Sequence, residues 1–144
     1  MAKAYASNMD EVRKIIADRV ELAMNEAQKK VYEELKKAVL TFYTVHPKVY
    51  VRTGFLRNSP KVDNVYRYTD HVSFRALLDG GKHSYTTGDK PSAEQVFELA
   101  NYGNAWRTKS GAYARDTVGR KGFWEKGLVK MEKAFNSALK NYFK

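Results

Sequence analysis

The residues able to do chemistry are few and scattered. Three histidines, His46, His71 and His83, lie in three different contexts. None is three or four positions from another, so no helical turn offers two imidazoles to one metal ion. Asp63, Asp70, Asp79 and Asp89 fall in predicted strands or loops. Two of them could in principle pair as acid and base, but loop aspartates more often hold turns with their own side chains. The run "DGGKHSYTTGDKPS" is rich in Gly. A phosphate loop needs a further Gly upstream and Ser or Thr directly after Lys, and here Lys82 is followed by His83. There is no Gly-x-Ser-x-Gly elbow and no His-Glu-x-x-His. Cysteine is absent, which removes thiolate ligands, disulfides and a Cys nucleophile. The expectation is a non-enzymatic protein with no catalytic residue, no metal and no cofactor.

Hydroxyl and glycine residues do gather in one place, "YVRTGFLRNS", residues 50–59. The segments on either side define its task. Before it, apolar residues recur at Val12, Ile16, Val20, Ala23, Ala27, Val31, Leu35, Val39 and Phe42. Steps of three and four make one stripe on a helix over about residues 9–43. Asn8 followed by Glu11 suits its N-terminus, and Asp10 and Glu11 favour the positive end of the helix dipole. Such a helix is roughly 50 Å long at about 1.5 Å per residue. A domain of 144 residues does not cover that length. Part of the stripe is expected to face another chain, unless the helix breaks near its middle.

After the stretch, the period changes. Over about residues 62–78, Val62, Tyr66 and Tyr68 precede the polar pair Thr69-Asp70, and Val72, Phe74 and Leu78 follow. This predicts two antiparallel strands with a tight connection, in an alternation too imperfect to fix the register. Ser92 and Gln95 form a capping-box pattern that opens a short helix over about residues 93–102, with Gly103 placed to end it. Residues 105–121 are rich in Gly and basic residues and have no period, so a mobile loop is expected. The last helix, about residues 123–143, carries Trp124, Leu128, Met131, Phe135, Leu139 and Tyr142 as its apolar stripe. Lys126, Lys130, Lys133, Lys140 and Lys144 form a second stripe roughly opposite. Gly127 interrupts a good helix former run, which suggests close packing at that point. The whole reads as a single α+β domain over residues 1–144: a long N-terminal helix, a small antiparallel sheet, a short middle helix and an amphipathic C-terminal helix.

Charge narrows the partners. The net charge is +10, and residues 1–43 contribute +1 of it. Residues 105–144 alone contribute +7. Such an uneven basic surface attracts phosphate or an acidic partner at long range, or is simply solvated. No apolar run approaches the roughly 20 residues that span a bilayer, and the opening "MAKAYASNMDEV" has no apolar middle. The expectation is a soluble, intracellularly made protein with no membrane partner.

The order of motifs resembles the neck or tail-completion proteins of long-tailed bacteriophages, over about residues 9–143. In that family a Thr-Gly-x-Leu-x-x-Ser element follows the first helix, matched here by Thr53, Gly54, Leu56 and Ser59. An aromatic-Gly element closes the middle region, matched by Tyr102 and Gly103. A Phe-led C-terminal helix follows, matched by Phe123 and Trp124. Arg52 stands where the family usually has an acid, and Asn104 where it usually has Thr. The resemblance implies a virion structural protein, assembled in the bacterial host cytoplasm, that joins head to tail or completes the tail. It implies a ring of copies of this chain. It also implies contacts with head–tail connector, tail-terminator or tail-tube proteins, and proximity to packaged DNA. Thr53, Gly54 and Leu56 would then turn the chain from helix into sheet, with Gly54 at positive φ. Arg52, Arg57, Arg107, Lys109, Arg115, Arg120 and Lys121 are the candidate interface. The alternative is a small basic nucleic-acid-binding protein. A third reading is an accessory tail-assembly protein absent from the finished particle.

Overall fold

The structure, a computed structural model, describes residues 5–43, 55–82, 93–102 and 122–144. Helix α1, Met9–Phe42, is a single uninterrupted helix of 34 residues. Asn8 caps it in extended backbone, and its Oδ1 accepts from the Glu11 N–H at 2.9 Å. The Glu11 carboxylate reaches one residue further back than in a capping box. It accepts from the Ser7 N–H at 2.6 Å and the Ser7 hydroxyl at 2.9 Å. These bonds, the backbone one first, hold Glu11 below the usual carboxylate range.

The expected strand pair is one hairpin in two ladders. Strand β1, Pro60–Val62, pairs antiparallel with β4, Ala76–Leu78, and β2, Tyr66–Arg67, pairs with β3, Val72–Ser73. Pro60 opens the first strand, two residues earlier than the sequence pattern suggests, at a position where a missing N–H costs no ladder bond. Between Val62↔Ala76 and Tyr66↔Ser73, three residues of the first arm face two of the second. That extra residue breaks the alternation and explains why the register was not legible. Thr69-Asp70 is the connection, closed by the Tyr68 N–H donating to the His71 carbonyl at 2.8 Å.

Helix α2, Ala93–Tyr102, and helix α3, Phe123–Tyr142, complete the fold. α3 lies antiparallel on α1. Gly127 meets Ala38, Met131 packs with Val31 and Leu35, and Tyr142 bonds Glu26. The α1-facing line of α3 is Phe123, Gly127, Met131 and Ala138, not the expected stripe of large residues. Trp124 and Phe135 lie beside that line, half-buried against the hairpin, and Leu128 is exposed. The reason is steric. A Cβ added at Gly127 would stand 2.6 Å from the Ala38 Cβ, so the helices approach through small residues.

The core forms two neighbouring clusters. One joins Val39, Phe42, Leu56, Ala100 and Phe123, and the other Val31, Leu35 and Met131. α1 runs past both. Its buried positions begin at Ala23, and the helix upstream carries exposed Met9, Val12 and Ile16 on the continuing stripe. The fold is α+β with a long first helix, a small antiparallel sheet, a short middle helix and a C-terminal helix.

Candidate interaction surface

The expected architectural residues divide into those that pack and those beyond the described residues. Leu56 lies in a short 3-10 turn, Leu56–Asn58, and is buried in the first core cluster. Ser59 is buried as well. Its hydroxyl donates to the Leu56 carbonyl at 2.7 Å, and its own carbonyl accepts from the Asp79 N–H at 2.7 Å. Leu56 and Ser59 therefore tie the start of β1 to the end of β4. Phe55 stacks on Phe97 of α2 at 5.4 Å between ring centroids. Phe123 is buried against Phe42, and Tyr102 closes α2. Arg57 is exposed, and its N–H donates to the Tyr43 hydroxyl at 2.9 Å. Arg52, Thr53, Gly54, Gly103, Arg107, Lys109, Arg115, Arg120 and Lys121 lie outside the described residues. The capping pattern at Ser92 does too, as do the predicted positive φ of Gly54 and the predicted loop at 105–121.

Asn101 was not singled out by the sequence pattern, yet it joins α2 to α3. Gly122, at φ 73, stands at the N-terminus of α3 and has no side chain to cap it. Asn101 supplies the cap from another helix: its Oδ1 accepts from the Trp124 N–H at 2.9 Å. Its Nδ2 donates to both carboxylate oxygens of Glu125, at 2.8 and 2.9 Å, and its carbonyl accepts from the Gly122 N–H at 2.7 Å. No local pattern marks it, because its partners Trp124 and Glu125 are 23 and 24 residues away.

The described aspartates serve structure. Asp63 accepts from the Arg75 guanidinium at 2.7 and 2.8 Å, and Asp79 accepts from the Gly81 N–H at 2.9 Å. Asp70 meets the His71 Nδ1 at 2.6 Å, and that imidazole lowers the Asp70 pKa. His71 also stacks on Tyr68, 4.5 Å between centroids. Among the described residues no three His, Asp or Glu side chains are grouped to hold a metal ion. None of the described helices is long and apolar enough to cross a membrane.

The surface offers three features suited to contact. The first is the free end of α1. It projects beyond α3, whose last turn meets Glu26. Arg67 of the hairpin braces it by bridging Asp18 at 2.7 Å and Glu21 at 3.1 Å. The second is an open apolar groove of about 590 Å³ between α1, α3 and the hairpin, with Phe74, Leu128 and Phe135 among its walls. The third is the outer face of α3. Lys126, Lys130, Lys133 and Lys140, with Lys144 just past the helix end, are all exposed, as the spacing predicts, and none pairs with a described carboxylate. Three of the five α1 lysines differ: Lys30, Lys36 and Lys37 pair with Glu26, Glu33 and Glu34 at 2.6 to 2.8 Å. α1 is balanced, with seven Lys/Arg and seven Asp/Glu, while α3 has a net excess of positive charge, with four Lys and two Glu. Comparison of the chain with protein-family models, curated proteins and solved structures finds no match.

Proposed function

We propose that this chain is a non-enzymatic structural protein of a bacteriophage virion, of the neck or tail-completion type. Copies of it form a ring that joins head to tail or completes the tail, next to connector, tail-terminator or tail-tube proteins. The observation that carries the reading is a helix that projects past its own core with apolar residues exposed along one stripe. A ring subunit needs such a surface, because heterologous contacts must reach the next copy. The order of the Thr-Gly-x-Leu-x-x-Ser element, the aromatic-Gly pair and the Phe-led last helix supports the same reading, and Leu56 and Ser59 are packed as an architectural turn requires. Cryo-electron microscopy of a particle whose genome encodes this chain is expected to place a closed ring of it at the neck. Single copies there, or none, would remove the proposal.

The lysine row on α3 favours one second reading, a small nucleic-acid-binding protein whose last helix tracks phosphates. The two readings separate on the affinity of the purified protein for duplex DNA and its fall with salt.

A further inference from the structure

We infer that the free end of α1 in one copy seats in the groove between α3 and the hairpin of a second copy. This rests on the ring reading and names the two surfaces that would build the ring.

The donor surface is defined by exposure. Met9 is 66% exposed, Val12 36% and Ile16 54%, although all three continue the stripe that is buried from Ala23 onward. Their spacing, three then four, places them on one side of a helix. The segment from Met9 to Leu22 is roughly 20 Å long at about 1.5 Å per residue. That is enough for three turns of apolar contact with a partner.

The acceptor surface is apolar and open. α1 contributes Met24 and Val31, the hairpin contributes Phe74 and Ala76, and α3 contributes Leu128 and Phe135. Leu128 is 46% exposed at its edge. An amphipathic helix laid into an apolar groove is a recurring recognition mode, with anchors at three- and four-residue spacing.

Charge selects the occupant. Among the described residues Glu132 is the one ionisable side chain lining the groove, and it has no ion-pair partner there. On the free end of α1, Arg13 follows Val12 and borders the apolar stripe. Among the described residues its ion pair is a 3.4 Å contact to Asp10 in which both side chains are more than three-quarters exposed. Such a pair is worth little, so Arg13 is available to another carboxylate such as Glu132. A tip whose apolar anchors are bordered by the Arg13 cation matches a groove whose apolar walls are bordered by the Glu132 anion.

The tip cannot fill the groove of its own chain. α1 is unbroken, and Leu128 lies level with Leu35 and Ala38, given the Gly127 and Met131 contacts. Ile16 is then roughly 30 Å away along the rigid helix, at about 1.5 Å per residue. A tip-to-groove contact between copies is heterologous, and its repetition gives a ring or an open filament.

The chain contains no cysteine, so introduced thiols report cleanly. Full-length Ile16→Cys and Leu128→Cys proteins, mixed and oxidised, are expected to form a disulfide-linked pair. The double variant is expected to form a ladder of multimers, because thiols this far apart cannot bridge within one chain. Ile16→Cys mixed with Lys130→Cys, two residues on and on the opposite face of α3, is expected to give no pair. Arg13→Glu should weaken self-association by about tenfold, and Glu132→Arg in the partner copy should restore it. Thermal melts of these variants should match wild type, since none of the five positions is buried. Absence of the Ile16–Leu128 cross-link in both concentrated protein and assembled particles overturns the inference. So does a predominance of Ile16–Ile16 dimers, which would place tip against tip. A ring at the neck without this cross-link leaves the proposed function standing and removes the contact. A ladder from a protein that forms no ring in the particle does the reverse.

Discussion

Gly127 sets how closely α3 approaches α1. Its missing Cβ lets α3 approach α1 at Ala38, and a methyl group there would stand 2.6 Å from the Ala38 Cβ. Gly127→Ala gains about 1 kcal/mol of helix propensity. It also forces two helices apart in the centre of the core, and overpacking of that kind costs about 1–3 kcal/mol. Separation should win, because neither Cβ lies at the end of a flexible side chain. Urea melts are expected to show Gly127→Ala destabilised and Gly127→Val more so. Combining Gly127→Ala with Ala38→Gly should recover part of the loss as a favourable coupling. A wild-type midpoint for the single variants would mean that the helices slide apart freely. Asn101 is the second sensitive residue. Asn101→Ala leaves the Trp124 N–H uncapped and is expected to cost about 1–2 kcal/mol. Asn101→Asp keeps the acceptor but sets a second carboxylate against Glu125. One of the two must then hold a proton, with a raised folded-state pKa. A raised value means stability that is present at low pH and lost as pH rises. The Asp variant should therefore be least stable relative to wild type at neutral pH and recover as pH falls towards about 4. A pH-independent difference would show that the two side chains separate instead.

The elements were legible where the determining contacts are local. α1 could be read from its own stripe and cap, and the Thr69-Asp70 turn from two polar residues between apolar runs. The line along which α3 packs was not legible. Large residues draw attention in a sequence, while the face of closest approach is built from Phe123, Gly127, Met131 and Ala138. Asn101 escaped for another reason: its partners, Trp124 and Glu125, are 23 and 24 residues away. The groove needs three elements at once, so no single window of sequence contains it. One prediction belongs at this scale, the docking of the last turn of α3. Lys30, and then the Tyr142 hydroxyl, hold Glu26 below the usual carboxylate range. A lowered folded-state value contributes stability above the unfolded value, and that is lost as pH falls through the folded one. Tyr142 is raised, chiefly by its hydrogen bond to Glu26. Its contribution is present below the ordinary tyrosine range and is lost as pH rises through the raised value. The stability difference between wild type and Tyr142→Phe is thus expected to form a plateau across neutral pH and to shrink at both ends. A difference that persists in strong acid would show that packing, not this hydrogen bond, holds the end of α3.

At the scale of the molecule, charge is sorted between the two long helices. On α1, acidic residues stand three or four positions before Lys30, Lys36 and Lys37 and pair with them. On α3, four lysines share the outer face, and Lys144 follows just past its end, without a described carboxylate partner. That face repels itself and costs the fold something, so removal of its charge should not harm stability. Gln in place of Lys126, Lys130, Lys133, Lys140 and Lys144 keeps helix propensity nearly constant. The fivefold variant is expected to melt within a few degrees of wild type, or slightly above it. What it loses depends on the partner. A ring subunit that works through its neighbours should bind free duplex DNA only in the non-specific range, weaker than about 1 µM at physiological salt. The variant should then fail in head–tail joining if α3 faces an acidic protein surface, and assemble normally if α3 faces solvent. A nucleic-acid-binding protein would behave otherwise. Its affinity would be tighter and would fall steeply with salt, and the slope would drop by about 0.9 for each lysine that truly meets a phosphate. Filter binding of wild type and variant across a salt series measures that slope directly. The ring reading expects a shallow slope, because the lysines then serve a protein surface and neutralise few phosphates. A steep slope that vanishes with the five lysines would make α3 a phosphate-tracking helix, and the protein a nucleic-acid binder first.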